Sequence, residues 1–157
     1  MATQQALGYT TRFSDFGVTP SRLPIGGTVT ITGKLQWHFW PFCNWISLDG
    51  KKVEIYVDGG KVGEATTQEG GVFRFYWIPQ AVGTYYVKAY YPGEWPLYNA
   101  CESSPVKVEV ITQEQAKEEQ AMNWAIIIAG VMIAAIIGVA IYEHLETQRL
   151  ITLAAAR

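Results

Sequence analysis

Two cysteines and two histidines are all that this 157-residue chain offers toward metal or thiol chemistry. A structural zinc site draws on four such side chains, and a cluster built on Cys43, Cys101 and His38 lacks its fourth ligand. The copper-site pattern fails as well, because no His or Met follows Cys101 at ligand spacing. Nucleophile elbow, phosphate-binding loop and dinucleotide fingerprint are all missing. Basic residues are not in excess: 12 Lys and Arg stand against 14 Asp and Glu, a formal charge of −2. A field that would attract the phosphates of nucleic acid is therefore not expected. Residues 1–13 contain no basic stretch leading into an apolar one, so no cleavable secretory signal is read there. Together these absences predict a protein that is not an enzyme and carries no metal or cofactor.

What is present divides into two unlike parts. Residues 1–9 read as a tail. Residues 10–111 hold all 7 prolines, and short alternating runs recur between turn residues at the spacing of a β-sandwich. A first strand is expected over residues 11–18, ending at the Thr19-Pro20 turn. Val29 and Ile31 then face one way, with Thr28 and Thr30 facing the other. Val53, Ile55 and Val57 alternate with Lys52, Glu54 and Asp58, and Asp58-Gly59-Gly60 has the composition of a hairpin turn that needs positive φ. Phe73 and Phe75, or else their neighbours, are assigned to the core. About seven strands are expected, and no helical period interrupts them.

The segments PIGGTVTITGKL, KKVEIYVDGGKVGEATTQEGGVFRFYW and VGTYYVKAYYPG resemble the Ig-like repeat domains of bacterial and archaeal surface-layer, adhesin and filament proteins. The resemblance covers roughly two thirds of the chain. It implies an all-β immunoglobulin-like sandwich acting as a spacer or binding module. The insert QWHFWPFCNWISLDG departs from that pattern, being longer and far more aromatic. If the strands follow immunoglobulin order, this insert and the loop before the last strand meet at one end of the sandwich. A disulfide between Cys43 and Cys101 is then expected, closing a loop of about 58 residues and stabilising by roughly 3–4 kcal/mol. The alternative is two free thiols in a reducing compartment. Trp37, Phe39, Trp40, Phe42, Trp45, Trp95 and Tyr98 collect at the same end, either as a partner-binding surface or as a small core beneath the insert.

Thr112 begins something different. It opens a capping box with Gln115, and residues 112–123 read as a helical linker. Residues 124–142, WAIIIAGVMIAAIIGVAIY, run without a charge for the length of one hydrocarbon core, flanked by Trp124 and Tyr142 at interfacial positions. A transmembrane helix is expected here, with residues 143–157 as a helical tail. Gly130, Ala134 and Gly138 recur every four residues, a small-residue stripe suited to close helix packing. The expected partners are membrane lipid and other protein subunits, self-association included. The functional expectation is a membrane-anchored structural or binding subunit of an envelope, surface or virion assembly. A non-catalytic accessory subunit of a membrane enzyme complex and a tryptophan-based adhesin are the alternatives.

Overall fold

A computed structural model describes residues 8–38 and 44–155, with side chains as far as residue 149. Among the described residues, ten strands, a short 3-10 turn (Glu69–Gly71) and one α-helix follow one another. The smaller sheet contains β1 (Thr10–Thr19), β3 (Val29–His38), β4 (Trp45–Ser47) and β7 (Val72–Trp77). In it β3 is central: β1 runs antiparallel on one side, while β7 and then β4 share the other. The larger sheet has the order β2 (Arg22–Pro24), β10 (Val106–Ile111), β8 (Gly83–Tyr91), β5 (Lys52–Val57) and β6 (Gly60–Thr66), with β9 (Cys101–Glu102) also on β8. The chain passes from the smaller sheet at β1 to the larger at β2, where it lies parallel to β10. One sheet built around β1-β3-β7 and another ordered β10-β8-β5-β6 is an immunoglobulin-like arrangement. The expected seven strands are all present, and the three additional ones, β2, β4 and β9, are two or three residues long.

The alternating patterns decide which face goes inward. Val29, Ile31 and Leu35 of β3, Val53 and Ile55 of β5, and Val87 and Ala89 of β8 are fully buried between the sheets. Phe73, Val108 and Val110 join them, and Phe75 packs against this core. Each such aliphatic or aromatic side chain contributes about 1.5–3 kcal/mol by leaving water. The β5–β6 turn takes positive φ at Asp58 and Gly59, 48° and 80°, the backbone that matches strand twist in a two-residue hairpin. Asp58 also ties the turn to β8, accepting a hydrogen bond from the Tyr86 N–H at 2.8 Å.

The insert is less of a loop than its length implies. Its first residues, Gln36, Trp37 and His38, extend β3, and Trp45 begins β4 opposite His38. The corner below is fixed by Gly71, which adopts φ 72° and donates its N–H to Asp49 Oδ1 at 2.6 Å. Thr67 is buried there too, accepting from the Lys51 N–H and donating to the Leu48 carbonyl.

Residues Met1–Gln113 and Glu114–Arg157 form two separate units. The second is α1 (Gln113–Ala155), one uninterrupted helix beginning directly after Thr112. At ~1.5 Å per residue it is about 65 Å long. It is long and apolar enough to cross a membrane, and none of its apolar window is buried.

Candidate functional site

The end of the sandwich where β3 finishes and β8 leads into β9 carries Trp37, Trp95 and Tyr98 of the aromatic residues singled out in the sequence. Tyr9, just ahead of β1, is laced to the β8–β9 loop: its N–H donates to the Leu97 carbonyl at 2.6 Å, and its carbonyl accepts from the Asn99 N–H at 3.0 Å. The Asn99 side chain donates to the Gly8 carbonyl, and Thr11 Oγ1 donates to the Asn99 carbonyl at 2.7 Å. Those bonds bring three rings together. Tyr9 lies 4.8 Å from Trp37 and 5.9 Å from Tyr98, and Trp37 meets Tyr98 edge-on at 5.8 Å. Lys51 closes the cluster from outside, pairing with Glu94 at 2.6 Å with its ammonium 5.3 Å above the Tyr98 ring.

The four of these seven aromatic residues that the structure describes, Trp37, Trp45, Trp95 and Tyr98, do not make one surface. Trp37 and Tyr98 are half-buried and pack against the core, which is the small-core alternative for those two. Trp95 is the exposed one at 74%, beside exposed Leu97. Trp45 lies elsewhere, on the outer face of the smaller sheet, where it stacks on His38 at 5.2 Å and under the Arg12 guanidinium at 3.8 Å. Phe39, Trp40 and Phe42 fall outside the described residues. Tyr9 and Arg12 are the participants that the sequence did not mark. Tyr9 sat in the presumed tail, and the only signal for it was an aromatic residue directly ahead of the first strand.

Beneath the cluster Tyr91 is buried, and its hydroxyl has no hydrogen-bond partner among the described residues. Burial, and then the charge of Glu94, push its phenol well above the ordinary range. Cys101 is half-buried at the start of β9 and carries a free thiol. Burial raises its pKa, with a hydrogen bond to Thr11 acting the other way. Cys43, the partner expected for Cys101 in a disulfide, lies outside the described residues. Among the described residues no group of three His, Cys, Asp or Glu side chains is placed to hold a metal ion.

This aromatic end and the exit of the chain toward the helix lie at opposite ends of the sandwich. Val106 of β10 pairs with Val87, while Val110 pairs with Gly83 at the start of β8. On α1, Gly130, Ala134 and Gly138 fall along one face at four-residue intervals, all exposed. Trp124 and Tyr142, at the two ends of the uncharged stretch, are each 65% exposed.

No family model matches the chain. A curated protein of Archaeoglobus fulgidus, described as an uncharacterized protein, is 45% identical over 47 residues, which is 30% of this chain and 32% of that protein. The match thus spans about a third of that relative's length. Among solved structures, the CARDB domain of a Pyrococcus furiosus protein in solution gives a TM-score of 0.43 at 16% identity, covering 68% of this chain and 94% of that one. The crystal structure of that domain in complex with di-metal ions gives 0.41 at 16% identity, covering 68% and 93%. By its own strand order, the chain is an immunoglobulin-like β-sandwich followed by a single long apolar helix.

Proposed function

We propose that the protein is a non-enzymatic, single-pass membrane subunit of an envelope, cell-surface or virion assembly. In this reading α1 holds the sandwich at a bilayer and the aromatic end meets a neighbouring protein. The observation that carries it is the uncovered apolar helix. Ten large apolar side chains between Ile126 and Ile141 are each more than half exposed. At roughly 2 kcal/mol apiece their burial is worth on the order of 20 kcal/mol, more than a domain of this size has to spare. Lipid supplies that burial without further protein, and the interfacial positions of Trp124 and Tyr142 suit it. The Gly130, Ala134 and Gly138 face then packs against another helix, and Trp95 offers the exposed aromatic contact at the far end.

Membrane extraction tests this. The full chain, expressed in cells, should remain with the membrane fraction after washing at alkaline pH and require detergent for release. Ile133→Arg with Ile137→Arg places two charges at mid-span, each costing about 2.5–3.5 kcal/mol, and should release it. Recovery of the unaltered chain in the alkaline wash would refute the anchoring. Chemical cross-linking in the same membranes separates the partner readings. Cross-links within regular arrays of the chain support the structural role, whereas capture with cofactor-bearing subunits supports an accessory one.

A further inference from the structure

The outer face of the smaller sheet is built of alternate residues from four strands, and the register gives its rows. Arg12, Gln36 and Ser47 form one row, Ser14, Lys34 and Val72 the next, and Gly17, Thr32 and Arg74 the third. Arg12, Lys34 and Arg74 thereby lie on a diagonal, each one strand and one row from the next. With strands ~4.8 Å apart and a rise of ~3.4 Å per residue, that step is about 8 Å. Asp15, in the bulge of β1, is the one carboxylate in these four strands.

Charges on the other sheet are treated differently. There Lys52, Lys61 and Lys88 each meet a carboxylate, at 3.7, 2.5 and 2.8 Å. Among the described residues, neither Lys34 nor Arg74 has such a partner. Arg12 is held in place by uncharged groups instead. Its Nε and Nη2 donate to Gln36 Oε1 at 3.2 and 3.1 Å, and its plane sits over Trp45. The guanidinium is thus oriented but not neutralised, and its remaining N–H groups can fork onto an acceptor.

We propose that this face binds a linear acidic polysaccharide. Its carboxylates lie along Arg12, Lys34 and Arg74, with the Arg12 guanidinium held in place by Trp45 beneath it. A repeating carboxylate matches a repeating cation, and the guanidinium–carboxylate pair is the strongest of the contacts available. Two other polyanions fit less well. Electrostatic lipid recognition draws on clusters of about 4–8 basic residues, more than this face holds. Nucleic-acid binding needs a wider basic footprint than a protein of charge −2 presents. The proposal goes beyond membrane anchoring and does not depend on it.

The test is calorimetric titration of the full chain in neutral detergent, at low salt. Polygalacturonate is the probe; dextran, a short single-stranded oligonucleotide and phosphatidylglycerol vesicles are the comparisons. Polygalacturonate should bind and weaken as salt rises. Lys34→Gln and Arg74→Gln, which remove no ion pair among the described residues, should each weaken it by about tenfold. Trp45→Ala should weaken it too, while Lys88→Gln and Lys107→Gln on the other sheet leave it unchanged. Absence of binding overturns the proposal. So does undiminished binding by the Lys34 and Arg74 variants, equal binding of dextran, or tighter binding of the oligonucleotide or the vesicles.

Discussion

Replacing Gly71 by alanine sets two costs on top of one another, and a second glycine separates them. Gly71 has φ 72° and Gly59 has φ 80°, so an alanine at either adopts a left-handed backbone. That alone costs about 1–2 kcal/mol. At Gly59 the new methyl points into open space. At Gly71 it overlaps the Leu35 carbonyl oxygen and approaches the Leu48 nitrogen, both backbone atoms with little freedom to move aside. Those same two atoms form the 3.0 Å hydrogen bond that joins the end of β3 to the chain leaving β4. Opening it leaves groups unpaired at a further cost of about 1–3 kcal/mol. The Gly71 N–H bond to Asp49 weakens with it. Gly71→Ala should therefore lose about 3–5 kcal/mol against about 1–2 for Gly59→Ala. For a sandwich near 100 residues each kcal/mol moves Tm by about 4–8 °C, so the expected drops are about 12–40 °C and about 4–16 °C. The assay is thermal unfolding of the full chain in detergent, followed by the near-ultraviolet circular dichroism of the tryptophans. Equal drops for the two variants would refute the packing argument and leave only the shared backbone strain.

Tyr91→Phe removes a buried hydroxyl that has no partner among the described residues, so stability should hold or rise by up to about 1 kcal/mol; a fall in Tm of several degrees would reveal an unseen hydrogen bond. Thr67→Val keeps the shape but strips partners from the Lys51 N–H and the Leu48 carbonyl, and should lose about 2–4 kcal/mol in denaturant unfolding. Thr67→Ser should recover most of that loss, and equal losses for valine and serine would contradict the assignment. Lys61 hydrogen-bonds Glu54 and Glu64 and holds both carboxyls below their ordinary value of 4.5, with the Tyr56 hydroxyl assisting at Glu54. A lowered carboxyl pKa contributes stability above 4.5 that is lost as pH falls below it. The Tm difference between the unaltered chain and Lys61→Met should accordingly be largest at neutral pH and shrink as pH falls below 4.5. A difference that grows on acidification would reverse the sign and sink the argument.

The strands of the core were legible because alternation there is strict. Val53, Ile55 and Val57 follow a period of two with no competing signal, and Asp58-Gly59 can hardly be read as anything but a turn. The aromatic insert was not legible in the same way. A run such as QWHFWPF offers apolar side chains to both faces, so periodicity assigns no inward side. The register of β3 against β4, set by long-range pairing, decides that Trp37 turns in and that His38 and Trp45 turn out. Tyr9 and Arg12 escaped notice for a related reason. Each gains its role from residues far along the chain, Tyr98 for the first and Trp45 for the second, and local sequence carries no trace of those contacts. The helix was the easiest element of all, since nineteen uncharged residues leave few other solutions.

The position of β10 bears on mechanics. This strand is the last before the helix, and it is held on both sides, antiparallel to β8 over Val106–Val110 and parallel to β2 over Glu109–Ile111. Two further bonds, from the Glu109 N–H to the Ser21 carbonyl and from the Ile25 N–H to the Ile111 carbonyl, lock its final turn-out. A pull entering at Ile111 and resisted at the aromatic end runs along these strands, loading their hydrogen bonds in shear. Shear forces many bonds to fail together, whereas peeling a terminal strand breaks them one at a time. A sandwich loaded in this way resists unravelling inward from Ile111.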